Sequence, residues 1–172
     1  MDRFIKALKE EGVLLLGKDT GEGLAVLQRI SGLLEKEHGK APLLLKEQAD
    51  RDDLGLVAKL LINSAAARWV LVENSYPSGH LYELPFVDMA GVVVAVVQHE
   101  GQGASFMPDE AMLKNAQWRR FSYEFETLPA VLADAVQWAE AAVTSAKKAR
   151  RSARPWSGAD SETADPTDGD QS

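Results

Sequence analysis

The stretch Asn74-Ser75-Tyr76-Pro77-Ser78-Gly79-His80-Leu81-Tyr82-Glu83 ends in a carboxylate with an imidazole three residues before it. On a helix that spacing puts His80 and Glu83 on one face. A carboxylate beyond the end of a strand can bind ribose hydroxyls, attack as a nucleophile, or stabilise a cationic sugar centre. It can equally be a solvated helix residue. Pro77 and Gly79 shape a turn before it. A second segment with chemical potential is the loop at residues 17–23, Gly-Lys-Asp-Thr-Gly-Glu-Gly. Its glycines Gly17, Gly21 and Gly23 would let a backbone approach a ligand, and a helix starting there would offer free N–H groups to a phosphate. The same glycines also suit a tight turn. The loop is neither a Walker loop, since no Gly-Lys-Ser/Thr ends it, nor the dinucleotide fingerprint, since its glycine spacing differs. Asp19-Thr20-Gly21 copies the aspartic-protease triplet, but that chemistry needs two such aspartates facing each other.

These residues need a frame to hold them. Residues 13–16 form a continuous apolar run, short enough for a strand buried on both faces. A helix at residues 1–11 precedes it, with Phe4, Ile5 and Leu8 on one face, and Gly12 ends that helix. Leu24, Leu27, Ile30 and Leu34 follow the glycine loop with helical spacing, and Gly39 stops them. The alternation repeats. Residues 43–45 predict a second strand, and 47–53 a polar loop ending in the capping residues Asp52 and Asp53. Leu54, Val57, Leu60 and Leu61 predict a helix, and 69–72 a third strand. The valine-rich run 91–98 predicts a fourth strand and the aromatic alternation at 121–125 a fifth. A long helical face runs from Leu128 through Trp138 to Ala142, with Pro129 in its first turn. Short apolar strands alternating with helices predict an α/β fold with a parallel sheet covered on both sides. For five strands we expect the flavodoxin-like three-layer arrangement, order 2-1-3-4-5. Its ligand crevice lies at the carboxyl edge between strands 1 and 3, where loops 17–23 and 74–83 meet.

Composition narrows the function classes. The chain has 172 residues, 45% of them hydrophobic, which suits a single domain with a sizeable core. It contains no cysteine, which excludes disulfides, thiolate metal sites and a cysteine nucleophile, and fits a cytoplasmic setting. Three histidines without metal-ligand spacing predict no metal site. The net charge of −7 argues against nucleic acid as a partner, and the longest apolar runs are too short to cross a membrane. Lys147, Lys148, Arg150, Arg151 and Arg154 read as a solvated helix end whose charges suit the helix dipole. Trp69 and Trp138 fall at core positions, whereas Trp118 with Arg119 and Arg120 reads as a surface cluster. The domain is expected to span 1–147, with a polar, disordered tail at 148–172.

The run from Ala67 to Leu84, a strand followed by a Ser/Tyr/Pro-rich loop and then Gly79-His80-Leu81-Tyr82-Glu83-Leu84, resembles the Toll/interleukin-receptor-type (TIR) domain and the related nucleoside 2-deoxyribosyltransferase-like proteins. The likeness covers roughly residues 12–90. It implies cleavage of the base–ribose bond of NAD or a related nucleotide, with NAD a substrate rather than a cofactor. Glu83 would be the catalytic residue. Gly17, Asp19 and Thr20 would line one wall of the nucleotide site, and Ser75, Tyr76 and His80 the other. The departing nicotinamide needs no general acid, whereas an ordinary nucleoside base would need one, and His80 is the nearby donor. Pro85 would shorten the helix that carries Glu83. The resemblance equally covers non-catalytic modules that sense a nucleotide or assemble with copies of themselves. A receiver-like reading is weaker, since it needs an acidic pair after strand 1 and an aspartate ending strand 3, where this chain has Glu73-Asn74.

Overall fold

The computed structural model describes residues 2–44, 55–76, 82–102 and 107–153. Five strands, β1 (Gly12–Leu16), β2 (Ala41–Leu44), β3 (Trp69–Glu73), β4 (Val94–His99) and β5 (Trp118–Tyr123), form one sheet in the order β2-β1-β3-β4-β5. Every neighbouring pair is parallel. This is the flavodoxin-like arrangement expected from the alternation of elements. Six helices accompany the strands: α1 (Asp2–Glu11), α2 (Gly21–His38), α3 (Leu56–Ala66), α4 (Leu84–Met89), α5 (Met107–Lys114) and α6 (Leu128–Ser152).

Strand alternation divides the core into two layers. Val13 and Leu15 of β1, Trp69 and Leu71 of β3, and Ala95 and Val97 of β4 pack with Leu27, Ile30 and Leu34 of α2 and Leu132, Ala135 and Ala139 of α6. Their neighbours Leu14, Leu16, Val70, Val72, Val94 and Val96 point the other way, toward Leu60 of α3, Val87 of α4 and Met112 of α5. Successive residues of a strand face opposite sides, so a strand covered on both faces must be apolar throughout. That is why β1, β3 and β4 read as unbroken hydrophobic runs.

β2 and β4 are offset from the expected 43–45 and 91–98, and three other elements differ further. β5 spans Trp118–Tyr123 rather than 121–125. The Val94 N–H bonds the Gln117 carbonyl and Trp118 pairs with Val94, so the strand starts before the aromatic alternation. Trp118 is therefore a core residue, 4% exposed, and not part of a surface cluster. The cations beside it find partners instead: Arg120 pairs with Asp109 of α5, and Arg119 lies 5.3 Å from the Phe121 ring centroid. Helix α5, with Pro108 buried and Ala111 and Met112 against the core, was not foreseen. Helix α6 continues to Ser152, past the expected start of the tail at 148, and carries Arg150 and Arg151 in its last turn, where cations suit the dipole. Leu45, the loop 47–53 with Asp52 and Asp53, and residues 154–172 lie outside the described residues.

A half-buried ion cluster fixes α6 to the starting edge of the sheet. Glu140 accepts from Lys40 Nζ at 2.6 Å, from Arg68 Nε at 2.7 and 2.9 Å, and from the Trp69 indole N–H at 3.3 Å. Burial alone would raise the Glu140 pKa, but the bonds from Arg68 and Lys40 outweigh it and hold the carboxyl below its ordinary value.

Candidate functional site

In this strand order β1 is flanked by β2 on one side and β3 on the other, so the loops after β1 and β3 diverge and leave a crevice at their carboxyl ends. The β1 loop supplies Gly17, Lys18, Asp19 and Thr20, and the β3 loop supplies Ser75, Tyr76 and Glu83.

Each glycine of the β1 loop has a structural reason. A Cβ on Gly17 would stand 3.1 Å from the Glu73 Cβ and 3.0 Å from Leu27 Cδ2, so its absence lets the loop close over the end of β3. A Cβ on Gly23 would meet Lys18 Cβ at 2.6 Å. Gly21 has φ +55°, in the left-handed region that glycine adopts without steric cost. Thr20 is the N-cap of α2, yet its hydroxyl makes no capping bond and it is exposed, as is Asp19.

Glu83 lies just before α4 and not within it. Its backbone carbonyl accepts the N–H groups of Phe86 and Val87, both at 3.1 Å, while its carboxylate caps nothing. Pro85 sits in the first turn of α4, where its missing N–H costs nothing, so it starts the short helix instead of truncating a long one. The Glu83 side chain is half-buried. Its pKa is raised, first by that burial and then by the charge of Asp19. The two carboxylates singled out from the sequence are thus brought within electrostatic reach of each other across the crevice. Tyr76 is half-buried beside them, with Lys18 Nζ 6.0 Å from its ring centroid. Burial, followed by the charges of Glu22 and Glu73, raises the Tyr76 phenol pKa. His80 lies outside the described residues.

Ser75, expected on the wall of the crevice, is 2% exposed and belongs to a buried network below it. The centre of that network is Glu73, the last residue of β3 and fully buried. Glu73 Oε1 accepts the Ser75 N–H at 3.0 Å and the Tyr123 O–H at 3.1 Å. Glu73 Oε2 has no hydrogen-bond partner among the described residues. The Ser75 hydroxyl accepts the His99 N–H at 2.7 Å, and the His99 ring packs edge-on against Tyr123 with centroids 5.5 Å apart. Desolvation raises the Glu73 pKa against the opposing bonds from Ser75 and Tyr123. The Tyr123 phenol is pushed upward by burial and by the Glu73 charge. Sequence reasoning noted Glu73 only as the end of strand 3 and not as the centre of a buried network. The one available signal was an acid directly continuing a four-residue apolar strand.

No protein-family model matches the chain, and no curated protein matches it significantly. Among the described residues no helix is long and apolar enough to cross a membrane, and no group of three or more His, Asp or Glu is placed to hold a metal.

Proposed function

We propose that the protein is an N-glycosidase-type hydrolase or transferase that cleaves the base–ribose bond of NAD or a related nucleotide at the crevice between β1 and β3, with Glu83 as the catalytic residue. The observation that carries this reading is the half-buried Glu83 carboxylate within electrostatic reach of Asp19. A carboxylate whose proton affinity is raised by burial and a neighbouring negative charge is relieved by a cation beside it. NAD brings one in its nicotinamide ring. As the C–N bond breaks, its electron pair goes to the ring nitrogen, nicotinamide leaves neutral, and the positive charge passes to the ribose. The favourable charge therefore stays beside Glu83 throughout. Water adds to the anomeric carbon, giving ADP-ribose and one proton; a second alcohol or base in place of water would give transfer. Glu83 can stabilise the ribosyl cation through space or bond to it briefly. Tyr76 offers a ring face and Thr20 an unused hydroxyl at the same crevice.

The test is to incubate the full-length protein with NAD and measure nicotinamide release by chromatography, beside Glu83→Ala. Release by the parent and its loss in the variant are expected, with a fall of at least about a hundredfold, the low end of what a charge-stabilising group contributes. Release that survives in Glu83→Ala refutes the assignment.

A specific observation favours a second reading, a non-catalytic module that senses a nucleotide or assembles with partners. Val57 and Ile62 of α3, together with Tyr82 and Met89 around α4, are exposed apolar side chains, Tyr82 at 84%. Under that reading Glu83→Ala leaves ligand binding and assembly intact.

A further inference from the structure

The starting edge of the sheet carries a cleft of about 200 Å³, at the opposite end from Glu83. Lys9 of α1, Arg68 before β3, Gln117 before β5, and Lys147 and Arg150 of α6 line it, together with residues 91–93. Four cations from three separate parts of the chain converge there, and no acidic side chain lines the cleft among the described residues. In a protein of net charge −7 such a concentration opposes the overall balance.

The four cations are not equivalent. Arg68 is held by Glu140, and Arg150 donates to the Gly91 carbonyl at 2.9 Å. Both guanidinium groups are thereby held in place, and Arg150 keeps its full charge. Lys9 and Lys147 have no ion-pair partner among the described residues. Like charges held close together repel unless an anion sits among them. Guanidinium forks match phosphate oxygens, and lysines add point charge. The volume is below the roughly 300–1,000 Å³ of pockets that enclose drug-sized ligands, so the occupant is compact.

We propose that this cleft binds a diphosphate group, either free or carried by a nucleotide. The site is separate from the Glu83 crevice, and its test does not depend on catalysis.

The full-length protein is titrated with inorganic pyrophosphate, with adenosine diphosphate and with adenosine, by calorimetry and by amide NMR. Saturable binding of pyrophosphate or the nucleotide, but not of adenosine, is expected, with shifts at Arg68, residues 91–93 and Gln117. Equal affinity for the two phosphates assigns the free anion, and tighter nucleotide binding assigns a carried diphosphate; either supports the site. The affinity should fall about tenfold in Lys147→Gln, which changes one exposed side chain, and further in Lys147→Glu/Arg150→Glu. Absence of saturation overturns the proposal. So does binding that is unchanged in Lys147→Gln, or shifts confined to Asp19, Tyr76 and Glu83.

Discussion

Glu73 offers the sharpest test of the network beneath the crevice. Its Oε1 takes two donors, the Ser75 N–H and the Tyr123 O–H, in surroundings closed to water. Replacing it with leucine puts a somewhat larger apolar side chain there and removes both acceptor positions. A buried donor left without an acceptor costs about 1–3 kcal/mol, so two cost roughly 2–6. Tyr123 retains a weak alternative in the Ser75 hydroxyl at 3.4 Å, which favours the lower half, about 2–4 kcal/mol. For a chain of this length that lowers Tm by on the order of 10 °C. Glutamine behaves differently, because its carbonyl oxygen keeps both donors and it carries no charge. The Glu73 pKa is raised in the folded state above its ordinary 4.5. The folded protein then binds more protons than the unfolded chain between those two values. The stabilisation is fully present below the ordinary value and is lost as pH rises through the folded one. Urea unfolding of the parent, Glu73→Gln and Glu73→Leu across that window reads both effects. Glu73→Gln should match the parent at the acid end and exceed it at neutral pH, with Glu73→Leu least stable at the acid end. A glutamine variant as damaged as the leucine one, or a difference from the parent that does not change with pH, refutes the reasoning.

Two further outcomes follow from the charges. If Glu83 acts as a carboxylate, the acid limb of kcat/KM for nicotinamide release lies above 4.5, because burial and Asp19 both raise its pKa; Asp19→Asn should move that limb toward lower pH, and an unmoved limb would separate the two residues. Glu140→Ala leaves Lys40 and Arg68 half-buried without their shared acceptor, at a cost of about 2–3 kcal/mol once partial exposure is discounted. Because the Glu140 pKa is lowered in the fold, the parent should lose this contribution as pH falls below 4.5, and the variant should lack that acid-dependent loss in urea unfolding followed by intrinsic tryptophan fluorescence.

The sheet was legible because strands covered on both faces have one solution, an unbroken apolar run, and β1, β3 and β4 have it. β5 was misplaced because its first half carries Arg119 and Arg120, whose charges are accommodated by α5 and by the Phe121 ring. The Asp109 partner comes from another element, and its pairing with Arg120 leaves no trace in the local pattern. Phe125, which completed the apparent alternation, lies beyond the strand and is 41% exposed. Helix α5 was missed because it buries little and has no wide apolar stripe. Glu83 was legible as a candidate from its loop position and the resemblance, and Asp19 through the resemblance, but the influence of Asp19 on Glu83 depends on the sheet order. The burial of Glu73 was not legible for a different reason. It is created by Gly17 closing from one side and Tyr123, fifty residues later, from the other.

The two glutamates flanking the β3 loop have opposite environments, and that difference fits a structural role for Glu73 and the role proposed for Glu83. Glu73 is fully buried, with one oxygen engaged by Ser75 and Tyr123. Gly17 closes over it, its missing side chain leaving room beside the Glu73 Cβ. Its bonds instead tie the first residues of the β3 loop to β5, and through the Ser75 hydroxyl to the end of β4. Glu83 is only half-buried, caps no helix N–H and faces the charge of Asp19. A fixed loop base and a carboxylate that caps no helix at its far end suit a site whose geometry is held by something other than the reacting group. On this basis, substitutions at Glu73 should change stability and its pH dependence first, and substitutions at Glu83 should change turnover with little effect on unfolding.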